Sequence, residues 1–320
     1  MPSFSRRDFL GGLVAAGAVA ALPKPAFAAF EPLYPPMDLS YFDTPISAAP
    51  AHIKIGYAAI TWGGNDRQAI EDIAALGYPG IQLRSNVVKE IPNPDEVAKL
   101  LDEHHLTFVA LSSGSINMES PDEKAEIAKH SANAKYTHDA HGLYLQMIDM
   151  RPKREATSDD YKKLGRMLTE IGKRSADLGV KLGYHNHMGS LGQSPEEMDR
   201  VMDASDPRYV KLELDIAHCV QGGGDPVKAI QKYKDRLLFV HIKDVESIPK
   251  EESKRGRDYR FVELGRGRVD VPASFKALED INFRGWAVIE LDAVPDPSRT
   301  PKDSALISKN YLHDHVGVSL

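Results

Sequence analysis

The chain of 320 residues carries 40 lysines and arginines against 46 aspartates and glutamates, a formal charge of −6, with 42% hydrophobic and 27% charged residues. That length and composition fit one large barrel-type domain or two ordinary ones, each with a sizeable core. The acidic balance is a poor match for a phosphate backbone and disfavours nucleic acid as a partner. The single cysteine, Cys219, excludes an intramolecular disulfide, so an exported form must be held by its core, with a metal as a further source of stability.

The N-terminus reads as an address. Ser5-Arg-Arg-Asp-Phe-Leu10 precedes a small-residue apolar run over 11–22 and then Ala26-Phe-Ala28. Paired arginines, a modest hydrophobic region and a small-residue cleavage site resemble a twin-arginine export signal over 1–28. A membrane anchor is the alternative, but the run is too short to span roughly 30 Å of hydrocarbon, and cleavage would leave no stable anchor behind. The expected location is the periplasm, or beyond it by the same route. That route carries folded proteins, which suits a metal site loaded before export. Residues 29–51, rich in proline and aromatics, read as an irregular arm, and the domain proper is expected over 52–320.

From residue 53 a strand-then-helix rhythm repeats. Strands over 53–60, 80–84, 106–111 and 143–148 alternate with helices over 66–76, 95–104, 121–140 and 158–178. Gly77 closes the first helix, and Pro94 stands just before the second. Further strands follow over 180–187, 210–218, 237–244 and 285–292, with helices over 195–202, 226–233 and 271–281 and a last one from 303. Eight strand–helix units fit a single closed parallel α/β barrel, the (β/α)8 TIM barrel, better than an open doubly wound sheet. No dinucleotide-binding glycine fingerprint follows the first strand. The charged, glycine-rich connection over 245–270 lies on the rim where such barrels carry their active sites. Residues 256–268 read either as a flap, with Arg266 and Arg268 reaching an anionic or polyhydroxylated ligand, or as a solvated basic loop.

The chemistry gathers at the ends of the last four strands. Residues two apart on a strand share a face, which groups His185 with His187, Glu213 with Asp215, His241 with Lys243, and Glu290 with Asp292. Imidazoles and carboxylates on neighbouring strand ends point to one divalent cation, because each is costly to bury alone and a metal offsets that cost. The expected ligands are Asp215, His241, Glu290 and, in preference to His187, His185. His187 then lies beside the ligands or against substrate. Glu213, deeper on its strand, is expected to orient a ligand or to pair with Lys211 or Lys181. His218 is a candidate for a substrate hydroxyl and Gln146 for a polar wall. Trp62 suits either stacking on a sugar ring or plain packing.

Several motifs recur in order: Tyr184-His-Asn-His-Met-Gly189, Leu214-Asp-Ile-Ala-His218, Gly222-Gly-Gly-Asp-Pro226, Asp235-Arg-Leu-Leu-Phe-Val-His-Ile-Lys-Asp244 and Gly285-Trp-Ala-Val-Ile-Glu290. With Trp62-Gly-Gly-Asn-Asp66 more faintly, they resemble the xylose isomerase-like barrels, the sugar isomerases and epimerases, and within them the inosose dehydratases. The resemblance covers most of the second half of the barrel. It implies that Asp215, His241 and Glu290 bind manganese, cobalt, zinc or magnesium. The typical member has a glutamate on its fifth strand where this chain has His185, and two metal-bound glutamates move the proton in the family's epimerases. Here an imidazole must replace one of them as ligand, or His187 must replace it as base.

The expected activity is that of a metal-dependent enzyme acting on a keto-sugar, cyclitol or glycoside through an enediolate. Glu290 or His187 takes the proton, while Lys243 and His218 bind oxygens. The histidine at 185, the dehydratase-like motifs and the export signal favour elimination, as on an inosose or 3-keto-glycoside, over isomerisation or epimerisation. A non-catalytic exported sugar-binding protein is the reading from another class. An abasic-site nuclease is opposed by the acidic charge and the export signal. The expected partner is a small-molecule carbohydrate, and homo-oligomerisation is left open.

Overall fold

Eight strands close into a parallel barrel, each paired with its neighbour in sequence and the last with the first. The computed structural model describes residues 51–249, 251 and 257–320, so the expected export signal and nearly all of the arm lie outside the described residues. In chain order the elements are β1 (His52–Ala58), α1 (Asp66–Ala75), β2 (Gly80–Arg84), α2 (Val87–Glu90), α3 (Pro94–Glu103), β3 (Thr107–Ile116), α4 (Glu123–Asp139), β4 (Tyr144–Asp149) and α5 (Ser158–Asp177). There follow β5 (Lys181–His185), α6 (Pro195–Ala204), β6 (Val210–Asp215), α7 (Ile216–Gln221), α8 (Pro226–Lys232) and β7 (Leu237–Ile242). A hairpin of β8 (Asp244–Ser247) and β9 (Tyr259–Val262) leads to α9 (Val271–Asp280), β10 (Arg284–Ile289) and α10 (Pro301–Tyr311). The barrel staves are β1 to β7 and β10. No helix among the described residues is long and apolar enough to cross a membrane.

The barrel strands read as near-continuous apolar runs because parallel strands are buried on both faces. Leu182 and Tyr184, Leu212 and Leu214, Val240 and Ile242, and Ala287 to Ile289 are all buried. Helix starts are written locally. Ser194 and Glu197 form a capping box with Pro195 in the first turn of α6, and Thr300 and Asp303 do the same for α10 with Pro301. Asn93 caps α3 by accepting the Asp95 N–H at 3.1 Å.

Two elements depart from the sequence expectation. Strand β3 runs on to Ile116, past the apolar stretch, with an irregular register against β4 between Ser112 and Ser115. Gly114 sits there at φ +84, in the left-handed region where a side chain is disfavoured. The polar strand end is tolerated because α4 supplies its partners: Ser113 Oγ lies 2.6 Å from His130 Nδ1 and accepts from Asn133 Nδ2 at 2.9 Å.

The second departure is the connection after β7. Its described residues form a hairpin and a loop tied to Asp244, not a solvated basic loop. The buried Asp244 carboxylate accepts backbone N–H bonds from Val245 (2.8 Å) and Val269 (3.0 Å) on Oδ1, and from Gly265 (3.0 Å) and Gly267 (2.9 Å) on Oδ2. A Cβ on Gly267 would run into that carboxylate. Arg268 is spent on Ser247 Oγ (3.0 Å) and Gln221 Oε1 (2.5 Å).

Asp244→Ala leaves those N–H groups without their acceptor, so it is expected to cost about 3–5 kcal/mol of stability, with Asp244→Asn costing less. Chemical denaturation measures both. A loss under about 1 kcal/mol for the alanine variant would mean that the loop is held by something else.

Candidate metal centre

The C-terminal mouth of the barrel brings four donors together. β5 ends on His185, β6 ends on Asp215, His241 is next to last on β7, and Glu290 follows the end of β10. Parallel register sets Asp215 opposite His241, and His241 opposite Val288. His185, Asp215, His241 and Glu290 each offer one ligand atom, all within 4.8 Å of one another. His241 Nδ1 stands 3.7 Å from Asp215 Oδ2 and 3.5 Å from Glu290 Oε2.

These residues fit a divalent cation. Asp215 Oδ2, His241 Nδ1 and His185 Nδ1 are buried, with no hydrogen-bond partner among the described residues. Such orphans are rare in folded proteins unless an ion or water answers them. Two imidazoles with two carboxylates make a donor set suited to zinc, manganese or cobalt. The group contains His185 and not His187.

Neighbouring groups aim the donors. Asp215 caps α7 through Oδ1, which accepts the His218 N–H at 2.7 Å, and this turns Oδ2 inward. Asn186 grips the Asp215 peptide from both sides: its Oδ1 accepts the Asp215 N–H at 2.8 Å and its Nδ2 donates to the Asp215 carbonyl at 3.1 Å. His241 Nε2 donates to Gln82 Oε1 at 2.8 Å, which leaves Nδ1 facing the centre as the atom that can bind an ion once its proton is displaced. Glu213 Oε1 lies 3.0 Å from His241 Nδ1 and 3.3 Å from His185 Nδ1. It faces the histidines, as one of its two expected roles required, and not Lys211 or Lys181. Gln146, also buried, stands beside Glu213.

The electrostatics separate the acids from the bases. Burial pushes the Glu213 carboxyl up to about 8. Burial alone would lower His241, but the carboxylates of Glu213, Glu290 and Asp215 raise it to about 9. Glu290 goes the other way: burial would raise it, yet His241 and Lys243 hold it down to about 2. Lys243 is wholly buried, donates to Glu290 Oε1 (2.7 Å) and Asp292 Oδ1 (2.5 Å), and lies 4.0 Å from the Phe261 ring centre. Burial would lower its pKa, but Asp292, Glu290 and Asp215 hold it above the usual lysine range. It is a fixed cation and hydrogen-bond donor, not a base.

His185, His187 and His218 form a second group, each with one nitrogen within 4.8 Å of the others. Hydrogen bonding argues against a metal there. The Met188 N–H donates to His218 Nδ1 at 3.1 Å, so His218 carries its hydrogen on Nε2 and has no lone pair to offer from that atom. His187 Nδ1 donates to the Met188 carbonyl at 2.7 Å, which leaves a bare Nε2. One residue, Met188, thus fixes opposite tautomers in two rings whose centres are 4.0 Å apart. Burial lowers the pKa of both, so both stand neutral near pH 7.

The remaining expected residues lie elsewhere. Trp62 is packed, with its Nε1–H on Asp72 Oδ2 at 2.9 Å and its ring edge-on to Tyr57. Arg266 stands 3.8 Å from Glu263 and lines a separate cavity of about 510 Å³ with Arg260 and Arg299, away from the four donors. The part of the hairpin that reaches the centre is Phe261, edge-on to His218 at 4.8 Å between ring centres.

A model of the xylose isomerase-like TIM barrel matches residues 70–310. The chain belongs to that family. Within the xylose isomerase-like family it is similar to the inosose dehydratase of Lacticaseibacillus casei, 28% identical over 293 residues that cover 81% of this chain and 96% of that one. Among solved structures it resembles the IolI protein with a bound zinc atom, with a TM-score of 0.70 at 21% identity, covering 84% of this chain and 100% of the other. It also resembles the probable 3-DHS dehydratase AsbF from Bacillus anthracis, with a TM-score of 0.68 at 15% identity, covering 82% and 100%. At those identities the two structures speak for the xylose isomerase-like fold alone. Residues 3–23 match the signal sequence of the twin-arginine translocation pathway, which supports export by that route.

Proposed function

We propose that this chain is a periplasmic, divalent-metal-dependent sugar lyase that eliminates water or a glycosyl oxygen from an inosose or a 3-keto-glycoside. The observation that carries the reading is a buried four-donor centre beside two neutral imidazoles locked in opposite tautomers. Similarity to inosose dehydratase supports the reaction class. The zinc in the IolI barrel supports a divalent ion, held here by His185, Asp215, His241 and Glu290. When bound, that ion supplies Lewis-acid polarisation of a ketone oxygen and so acidifies the neighbouring C–H.

The chain's own residues then divide the work. Glu290 is a poor base, with Oε1 held by Lys243 at 2.7 Å and its carboxylate held down to about 2. His187, neutral and bare at Nε2, is the base that takes the proton. Lys243 has three N–H groups, of which Glu290 and Asp292 take two. The third meets a substrate oxygen as negative charge develops on it. The burial of Asp215, His241 and Lys243 keeps bulk water away from that charge.

The test is to incubate metal-loaded protein with a panel of inososes and 3-keto-glycosides and to read the products by mass. Loss of water or of an aglycone supports the lyase. An unchanged mass at a new retention time would make it an isomerase or epimerase. Saturable binding without proton exchange into heavy water would make it a sugar-binding protein.

A further inference from the structure

Deepening that lyase reading, we infer that His218 donates its Nε2–H to the departing oxygen beside His187, so that proton and leaving group depart from the same face of the sugar ring. His218 Nε2 is buried and has no hydrogen-bond partner among the described residues. The Met188 N–H occupies Nδ1, so Nε2 is a donor and needs an acceptor oxygen. None of the described residues supplies one: the ring faces Phe261 edge-on, His185 at 5.5 Å and His187 at 4.0 Å between centres. An oxygen of the substrate is the remaining acceptor.

Position decides which oxygen. His185 belongs both to the four-donor centre and to the three-histidine group. A ketone oxygen directed to the centre therefore sets the adjacent C–H toward His187 and the next carbon's oxygen toward His218. The two rings are neighbours, so their nitrogens meet the substrate from one side. His187 Nε2 takes the hydrogen from the carbon next to the ketone, and that C–H electron pair becomes the new C=C bond. The C–O bond at the following carbon breaks with its electron pair on oxygen, which is held by the His218 Nε2–H. The proton that His187 gained then passes to this oxygen on the same face. Water or an alcohol leaves, and both imidazoles return to their starting tautomers.

The requirement is testable with methyl 3-keto-glucosides that differ only at the anomeric carbon. In the β-anomer the leaving oxygen is cis to the C2 hydrogen, and in the α-anomer it is trans. Both anomers should exchange the C2 hydrogen in heavy water, since His187 acts on either. Methanol release should favour the β-anomer by about 10²-fold or more. Equal release, or preference for the α-anomer, overturns the same-face geometry while leaving the lyase standing. Neither exchange nor release from either anomer, nor from an inosose, overturns both readings.

The role of His218 has its own readout. His218→Ala should slow loss of methanol from the methyl 3-keto-β-glucoside by about 10²–10³-fold, yet slow nitrophenol release from the 4-nitrophenyl 3-keto-β-glucoside less than about tenfold, because nitrophenoxide is stable without a donor on its oxygen. His218→Asn, which keeps an N–H donor, should recover part of the methanol reaction. Equal slowing of both leaving groups in the alanine variant would reduce His218 to a packing residue.

Discussion

Replacing Asp215 or His241 with alanine is expected to remove the bound metal and all measurable turnover together. Asp215 Oδ2 and His241 Nδ1 are buried without partners among the described residues, and they stand 3.7 Å apart. Truncating either removes one donor of four and leaves buried carboxylates facing one another. Asp215→Asn is the more incisive variant. Its side-chain oxygen still accepts the His218 N–H that starts α7, so the helix stays capped while an amide NH₂ replaces the inward oxygen. Metal analysis at matched protein concentration reads the result, and full occupancy in all three variants would overturn the ligand set.

Metal uptake should also depend on pH in one direction. With its neighbouring carboxylates raising it to about 9, His241 is protonated at neutral pH in the metal-free protein, and an ion must displace that proton. Affinity should therefore rise with pH toward about 9 and fall on acidification, and a pH indicator should register proton release as the ion binds.

Much of this site was legible because its residue types are rare at the ends of apolar strands. Asp215, His241 and Glu290 each close a run of buried Val, Leu or Ile, and register does the rest. The alternation rule worked for Glu213 and Asp215, both inside β6, but it was extended too far on the fifth strand. β5 ends at His185, so His187 reaches the site from the turn that follows and not from a shared strand face. Gln82 and Asn186 escaped notice because a neutral amide leaves no charge pattern, and its value lies in a partner far along the chain. The connection over 245–270 misled by composition. Its arginines and glycines suggest solvent, whereas Asp244 ties the loop by bonds that only tertiary structure reveals. Within it, Asp258-Tyr-Arg-Phe261 does alternate polar and apolar residues, a local sign that Phe261 would turn inward.

His187→Ala should keep its metal and lose about 10²–10⁴-fold in turnover, since His187 moves the proton and holds no place among the four donors. His185→Ala should do the reverse at the first step and lose metal. His185→Glu is the more searching change. A carboxylate oxygen can coordinate from the same strand end, but it arrives beside Glu213, whose Oε1 lies 3.3 Å from the present imidazole. Two buried carboxylates that close do not both ionise without a cation. Glu213 is already pushed up to about 8, so its proton relieves the clash at neutral pH. The variant should hold metal near pH 7 and bind it more tightly as pH rises through that value, the same sign as the wild type, because a carboxylate freed of its proton attracts the cation. It would also place a second carboxylate base beside the ion, so hydrogen exchange should survive while elimination falls and epimerised product appears. Loss of metal in His187→Ala with retention in His185→Ala would exchange the roles of the two histidines. Retention in both would mean that the fifth strand contributes no ligand, leaving Asp215, His241 and Glu290 with Glu213 as the nearest remaining donor.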